Sequence, residues 1–174
     1  MSLRIDASDY LPGERLIRST RAQLTVDADE HGVRPLPFSH LSRLIHGKST
    51  LELEGGLVLT NFRLMFLSSG LVPPMYARGP RFDRRPTQRF TILLPAIASM
   101  STRQGLFVGK VNVVTAERTF EFLAWGNAPE LRTTIDGVRR SLDAATQQSL
   151  PNLASSHPHQ IGPPFHAFVK AMAS

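Results

Sequence analysis

The chain predicts a mainly β domain, with seven antiparallel strands closed by one C-terminal helix. Three observations carry this expectation. Two apolar runs, Gly55-Gly56-Leu57-Val58-Leu59 and Leu64-Met65-Phe66-Leu67, meet at a Thr60-Asn61 corner. Asn tolerates a positive φ, so a tight turn is cheap there and the two runs read as a hairpin. The segment Thr119-Phe120-Glu121-Phe122-Leu123 alternates, placing two Phe on one face and Thr and Glu on the other. Leu131, Ile135, Val138 and Leu142 recur at the spacing of a single helix face.

Taken in order, residues 1–12 form an irregular lead-in. Arg15 to Val26 is rich in Thr and aliphatic residues and makes a long first strand. Asp27 to Lys48 is a connection in which Phe38, Leu41, Leu44 and Ile45 have helical spacing. Ser49 to Leu59 is the second strand, with a bulge or bend at Gly55-Gly56. Phe62 to Leu67 is the third. Ser68 to Gln88 carries four prolines and reads as a loop, long enough to be functional or disordered. Arg89–Leu94, Ala98–Arg103, Leu106–Thr115 and Thr119–Leu123 complete the seven strands. The helix spans 128–143. Asn127 is its cap, Pro129 lies in the first turn, and Glu130 stands where a capping-box partner belongs. Trp125, at the strand-to-helix junction, is expected in core or cap packing. Residues 146–174 are rich in Ser, Pro, His and Gln and read as a flexible tail, so the domain proper is 13–145.

Seven strands followed by an amphipathic helix is the order of the pleckstrin-homology (PH) fold. In that fold a partly open barrel of two orthogonal sheets is plugged by the helix. The wording of the chain also resembles the GRAM variant of that fold. The residues concerned are Gly13-Glu14-Arg15-Leu16, Gly56-Leu57-Val58-Leu59-Thr60-Asn61-Phe62-Arg63-Leu64-Met65-Phe66, Phe90 to Met100, and Thr119-Phe120-Glu121-Phe122. The layout is most similar to the N-terminal module of myotubularins, which are phosphoinositide phosphatases. Pro164-Phe165-His166-Ala167-Phe168 is similar to a segment that follows that module. The phosphatase chemistry needs a Cys nucleophile, and this chain has no Cys, so no catalytic role is carried over. The resemblance implies a lipid- or protein-docking module that is not an enzyme and uses no cofactor. In the family signature the position of Arg63 recurs, and a structural role at the sheet surface is expected for it because it begins a strand.

Charge points the same way. The formal net charge is +6, and all of it lies within residues 77–110, since the segments on either side are neutral. That region holds Arg78, Arg81, Arg84, Arg85, Arg89, Arg103 and Lys110 against a lone Asp83. Arg supplies forked donors suited to phosphate. A solvated Arg-rich loop explains the same numbers. Leu71, Val72, Met75, Tyr76 and Phe82 precede or interrupt the Arg cluster and add apolar surface. The seven cations are therefore the candidate contacts for anionic phospholipid or phosphoinositide headgroups.

Pro73-Pro74-Met75-Tyr76 has the Pro-Pro-x-Tyr form read by WW domains. This makes Pro73, Pro74 and Tyr76 candidate protein contacts, although a proline-rich loop needs no ligand to explain it. Nucleic acid is not the expected partner, because the charge forms one loop and no nucleic-acid fold signature is present. His157 and His159 lack further metal ligands nearby. No run of eighteen apolar residues exists, and the N-terminus lacks an apolar signal core. A cytoplasmic, peripheral membrane module is expected. A protein-interaction adaptor and an accessory fragment of a myotubularin-like phosphatase are the alternatives.

Overall fold

The computed structural model describes residues 5–33, 50–71 and 88–173. Among these residues seven strands are present: β1 (Leu16–Asp27), β2 (Thr50–Thr60), β3 (Arg63–Leu71), β4 (Gln88–Leu93), β5 (Ile97–Gln104), β6 (Val108–Thr115) and β7 (Thr119–Trp125). All pairings are antiparallel, in the order β4-β3-β2-β1-β7-β6-β5. The two expected sheets are thus continuous through β1. Its Ala22–Thr25 stretch pairs with β7, while nearly its whole length pairs with β2. Strands β4 and β5 are the free edges, so the sheet is not closed. Short 3-10 turns lie at Ala7–Asp9, Asp29–His31 and Leu94–Ala96.

The strand patterns show why these segments pair. Ala22, Leu24 and Val26 of β1, Val111 and Val113 of β6, and Phe120, Phe122 and Ala124 of β7 are all buried on alternate positions. Strand β2 is buried on both faces from Gly55 to Thr60. One face joins the main core. On the other, Val58 packs with Met65, Leu67 and Ile5 of the lead-in. The expected bulge is present, as a register shift between Glu54 and Gly55 against β3. A Cβ on Gly55 would stand 2.1 Å from the Leu67 carbonyl oxygen, so only glycine permits this approach.

Helix α1 (Ala128–Ser141) closes the domain against β5 and β6. Leu131 and Ile135 are buried, with Val138 and Leu142 packed against the core as partly buried neighbours. Asn127 caps it by accepting from the Glu130 amide at 3.0 Å. The Glu130 carboxylate bonds Arg18 at 2.8 Å.

The mainly β fold with its closing helix is present, and residues 146–173, expected as a flexible tail, are helical as well. They form α2 (Ala144–Ser156), α3 (Pro158–Ile161) and α4 (Phe165–Ala173). Phe168 and Val169 are fully buried, with Phe165 and Met172 packed beside them. The spacing 165, 168, 169, 172 is a helical stripe, and that periodicity outweighs the polar composition around it. Helix α4 lies on β3 and β4, and Phe168 stands 5.1 Å from Phe90 between ring centroids. Strand β3 also runs on to Leu71, past the expected loop start at Ser68.

Candidate functional site

This topology brings side chains together in three constellations. The first is a clasp around the Thr60-Asn61 corner. No non-glycine residue among those described has a positive φ, so Asn61 does not serve the turn by left-handed backbone. It serves through its amide. Its Oδ1 accepts from the Arg15 amide at 2.7 Å, and its Nδ2 donates to the Gly13 carbonyl at 3.1 Å. The Thr60 hydroxyl donates to Glu14 at 2.6 Å and accepts from the Arg63 amide at 3.0 Å. Arg63 and Glu14 form a fully buried forked pair at 2.7 and 2.9 Å. The remaining Arg63 donors reach the carbonyls of Asp9 and Gln160. The expected structural role for Arg63 is what its contacts describe, though it sits in the interior rather than at the sheet surface.

The second constellation joins the C-terminal helices to the sheet. His31 is buried, with its Nδ1 3.0 Å from His166 Nδ1 and its Nε2 3.2 Å from Arg118 Nη1. Arginine only donates, so His31 Nε2 is the acceptor and its proton lies on Nδ1. That proton is donated to His166 Nδ1, which leaves the His166 proton on Nε2. Both rings are therefore neutral in this arrangement. Burial, then Arg118, then His166 hold the His31 pKa below its ordinary value. Phe165 stacks edge-on to His31 and lies under the Arg118 guanidinium.

The third lies at the β5–β6 hairpin and contains two of the expected lipid contacts. Arg103 and Lys110 are cross-strand partners. Together with Gln23, Gln104, Leu123 and Trp125 they border an open groove of about 530 Å³. Lys110 pairs with Glu121 at 2.6 Å. Arg103 is exposed, and its side chain makes no hydrogen bond or ion pair with the described residues. Trp125 lies under the Arg21 guanidinium at 4.4 Å, and its carbonyl accepts from Thr20. Leu106 and Phe107, at the hairpin tip, are 87% and 76% exposed. Sequence reading counted them as strand residues and missed them; the signal available was Gly105 just ahead, marking a turn.

Of the other expected contacts, Arg89 has a different occupation. It forms an ion pair with Asp9 and donates to the His159 carbonyl, so its guanidinium ties the lead-in and the C-terminal helices to β4. Arg78, Arg81, Arg84, Arg85, Pro73, Pro74 and Tyr76 lie outside the described residues, as does the expected helix around Phe38–Ile45.

No protein-family model matches the chain, and no curated protein matches it. Among solved structures, it is similar to the C-terminal domain of an unknown protein from Leishmania infantum. The identity is 15%, the TM-score 0.44, and the match covers 75% of this chain and 88% of that one. It is also similar to the linker-DH/PH region of p115-RhoGEF, at 14% identity and TM-score 0.36, covering 75% of this chain and 30% of that one. Both scores are too low to assign a function. The PH-like description rests on the strand order and on the helix that follows β7.

Proposed function

We propose that this chain is a non-enzymatic PH-like module, of GRAM type, that attaches to anionic membrane surfaces. The observation that carries the reading is the placement of charge. The whole net charge of +6 falls in residues 77–110. Within that region Arg103 stands exposed, without a partner among the described residues, at the rim of a groove it shares with Lys110. An exposed guanidinium whose donors are uncommitted is available to phosphate. Each basic residue near an anionic leaflet contributes about 1 kcal/mol, and the effect fades beyond a Debye length of about 8 Å at physiological salt.

Co-sedimentation with vesicles tests the reading. Binding is expected to phosphatidylcholine vesicles containing phosphatidylserine or a phosphoinositide, weak binding to phosphatidylcholine alone, and a fall with rising salt. Changing Arg81, Arg84 and Arg85 together to Ala should remove up to ~3 kcal/mol, roughly two decades of affinity. No sedimentation with any anionic vesicle at low salt would overturn the proposal. A protein-recruiting role would then take its place.

A further inference from the structure

We infer that the tip of the β5–β6 hairpin is a wedge that enters an anionic bilayer, with Arg103 and Lys110 seated at headgroup depth behind it. The inference rests on the membrane reading above and names the surface that performs it. Leu106 and Phe107 are adjacent and far more exposed than Leu16 and Ile17, at 44% and 39%, the other exposed large apolar residues described. They are also held on a rigid base. The Gly105 amide donates to the Val108 carbonyl, closing the turn at 3.0 Å. A Cβ at Gly105 would stand 2.7 Å from that carbonyl oxygen, so glycine is needed for the turn. The Gln104 side chain donates to the carbonyls of Gly105 and Gly126 and accepts from the Ala128 amide. The Phe107 carbonyl accepts from the Gly126 amide. The hairpin is thereby braced on the first turn of α1 while its two apolar side chains project into water.

The chemistry of the surroundings selects the occupant. A specific protein interface needs about 800 Å² from each partner. Two side chains, at ~200 Å² for an aromatic one, fall far short of that. A bilayer needs no matching pocket. It accepts a small apolar tip, and its phosphates meet cations set behind that tip. Arg103 lies three residues before Leu106 and Lys110 three residues after Phe107, on paired strands, and both border the groove; Lys110 is paired with Glu121, and the Arg103 side chain has no partner among the described residues. Trp125 at the groove is an amphipathic ring of the kind that settles at a membrane–water boundary.

The test uses the full chain and phosphatidylcholine vesicles doped with phosphatidylserine. Leu106→Ser with Phe107→Ser should lower partitioning by at least about tenfold. That deficit should persist at high salt, whereas the deficit of Arg103→Ala should shrink as salt screens it. Thermal melts of these variants should match the parent, since none of the three side chains is buried. In a second variant, Phe107→Trp with Trp125→Phe, the hairpin carries the only indole. Brominated lipids should quench its emission when the protein is bound. If the parent sediments with anionic vesicles but the Ser double variant binds equally, or bound Trp at 107 is not quenched, the wedge is overturned and the membrane reading stands. If the parent binds no anionic vesicle, both fall.

Discussion

Arg63 shows how one side chain can hold three distant pieces of chain. Its guanidinium has no exposure and is satisfied by Glu14, the Asp9 carbonyl and the Gln160 carbonyl. Taking two charges out of water costs several kcal/mol, and only complete hydrogen bonding offsets it. Arg63→Met should therefore destabilise the protein by about 3–5 kcal/mol in urea unfolding, because it strands the buried Glu14. Adding Glu14→Leu should cost less than the two single changes together. Strict additivity would sink the idea that the pair acts as a unit. Arg89 makes a second, gentler test. Its partners are Asp9 and His159, so Arg89→Ala should lower the melting temperature and leave vesicle affinity unchanged. A large loss of affinity without a change in melting would return Arg89 to the lipid-binding set.

Helix α4 is the element whose placement matters most to stability. Phe168 fills space among Phe66, Phe90 and Phe165, and its removal leaves a cavity. Phe168→Ala should cost about 3–5 kcal/mol, which corresponds to roughly 10 °C in melting temperature for a chain of this size. A shift of only a degree or two would mean that the helix is not part of the cooperative core. The same helix carries His166, which accepts from His31 Nδ1, while the Arg118 contact uses the His31 Nε2 lone pair and so needs a neutral ring. Burial lowers the His31 pKa most, Arg118 and His166 lower it further, and Glu30 and Asp27 raise it more weakly. Because the folded pKa lies below the unfolded value of about 6.5, the unfolded chain binds more protons. Stability is then complete above pH ~6.5 and declines as pH falls below it. Melting curves at neutral and mildly acidic pH should show this loss, and His31→Gln should flatten it. An identical pH slope in that variant would show that His31 is not the titrating group.

At the scale of the whole molecule, the charge and the fold are arranged together. The sheet edge β5 and its hairpin to β6 bring two cations of the 77–110 region, Arg103 and Lys110, to the groove beside Trp125. The opposite edge strand, β4, packs against α4, and its Arg89 donates to the His159 carbonyl among the C-terminal helices. If the cationic region governs attachment, the dependence of vesicle affinity on salt should weaken in Arg103→Ala and weaken further in the Arg81, Arg84, Arg85 triple variant. Equal salt slopes in parent and variants would place the attachment elsewhere on the molecule.

The residues themselves were enough to determine the strands and the helix α1, though not the helices that follow it. Strand alternation at Thr119–Leu123, the bulge at Gly55, the Asn127 cap and the α1 stripe depend on periods of two or 3.6 residues and on neighbours a turn away. The position of the charge excess was equally plain, since it is a property of the chain's order. The tertiary structure alone decided which polar groups meet. Arg63 finds Gln160 across 97 residues, and His31 finds His166 across 135. No local period encodes such pairs; they exist only once the sheet register and the docking of α4 are set. Leu106 and Phe107 are an intermediate case: composition places them inside, and Gly105 just ahead is the local sign of a turn. The three-residue turn after Gln104, braced on α1, puts them in water instead, because neither a strand nor a helix passes over that end of the hairpin among the described residues.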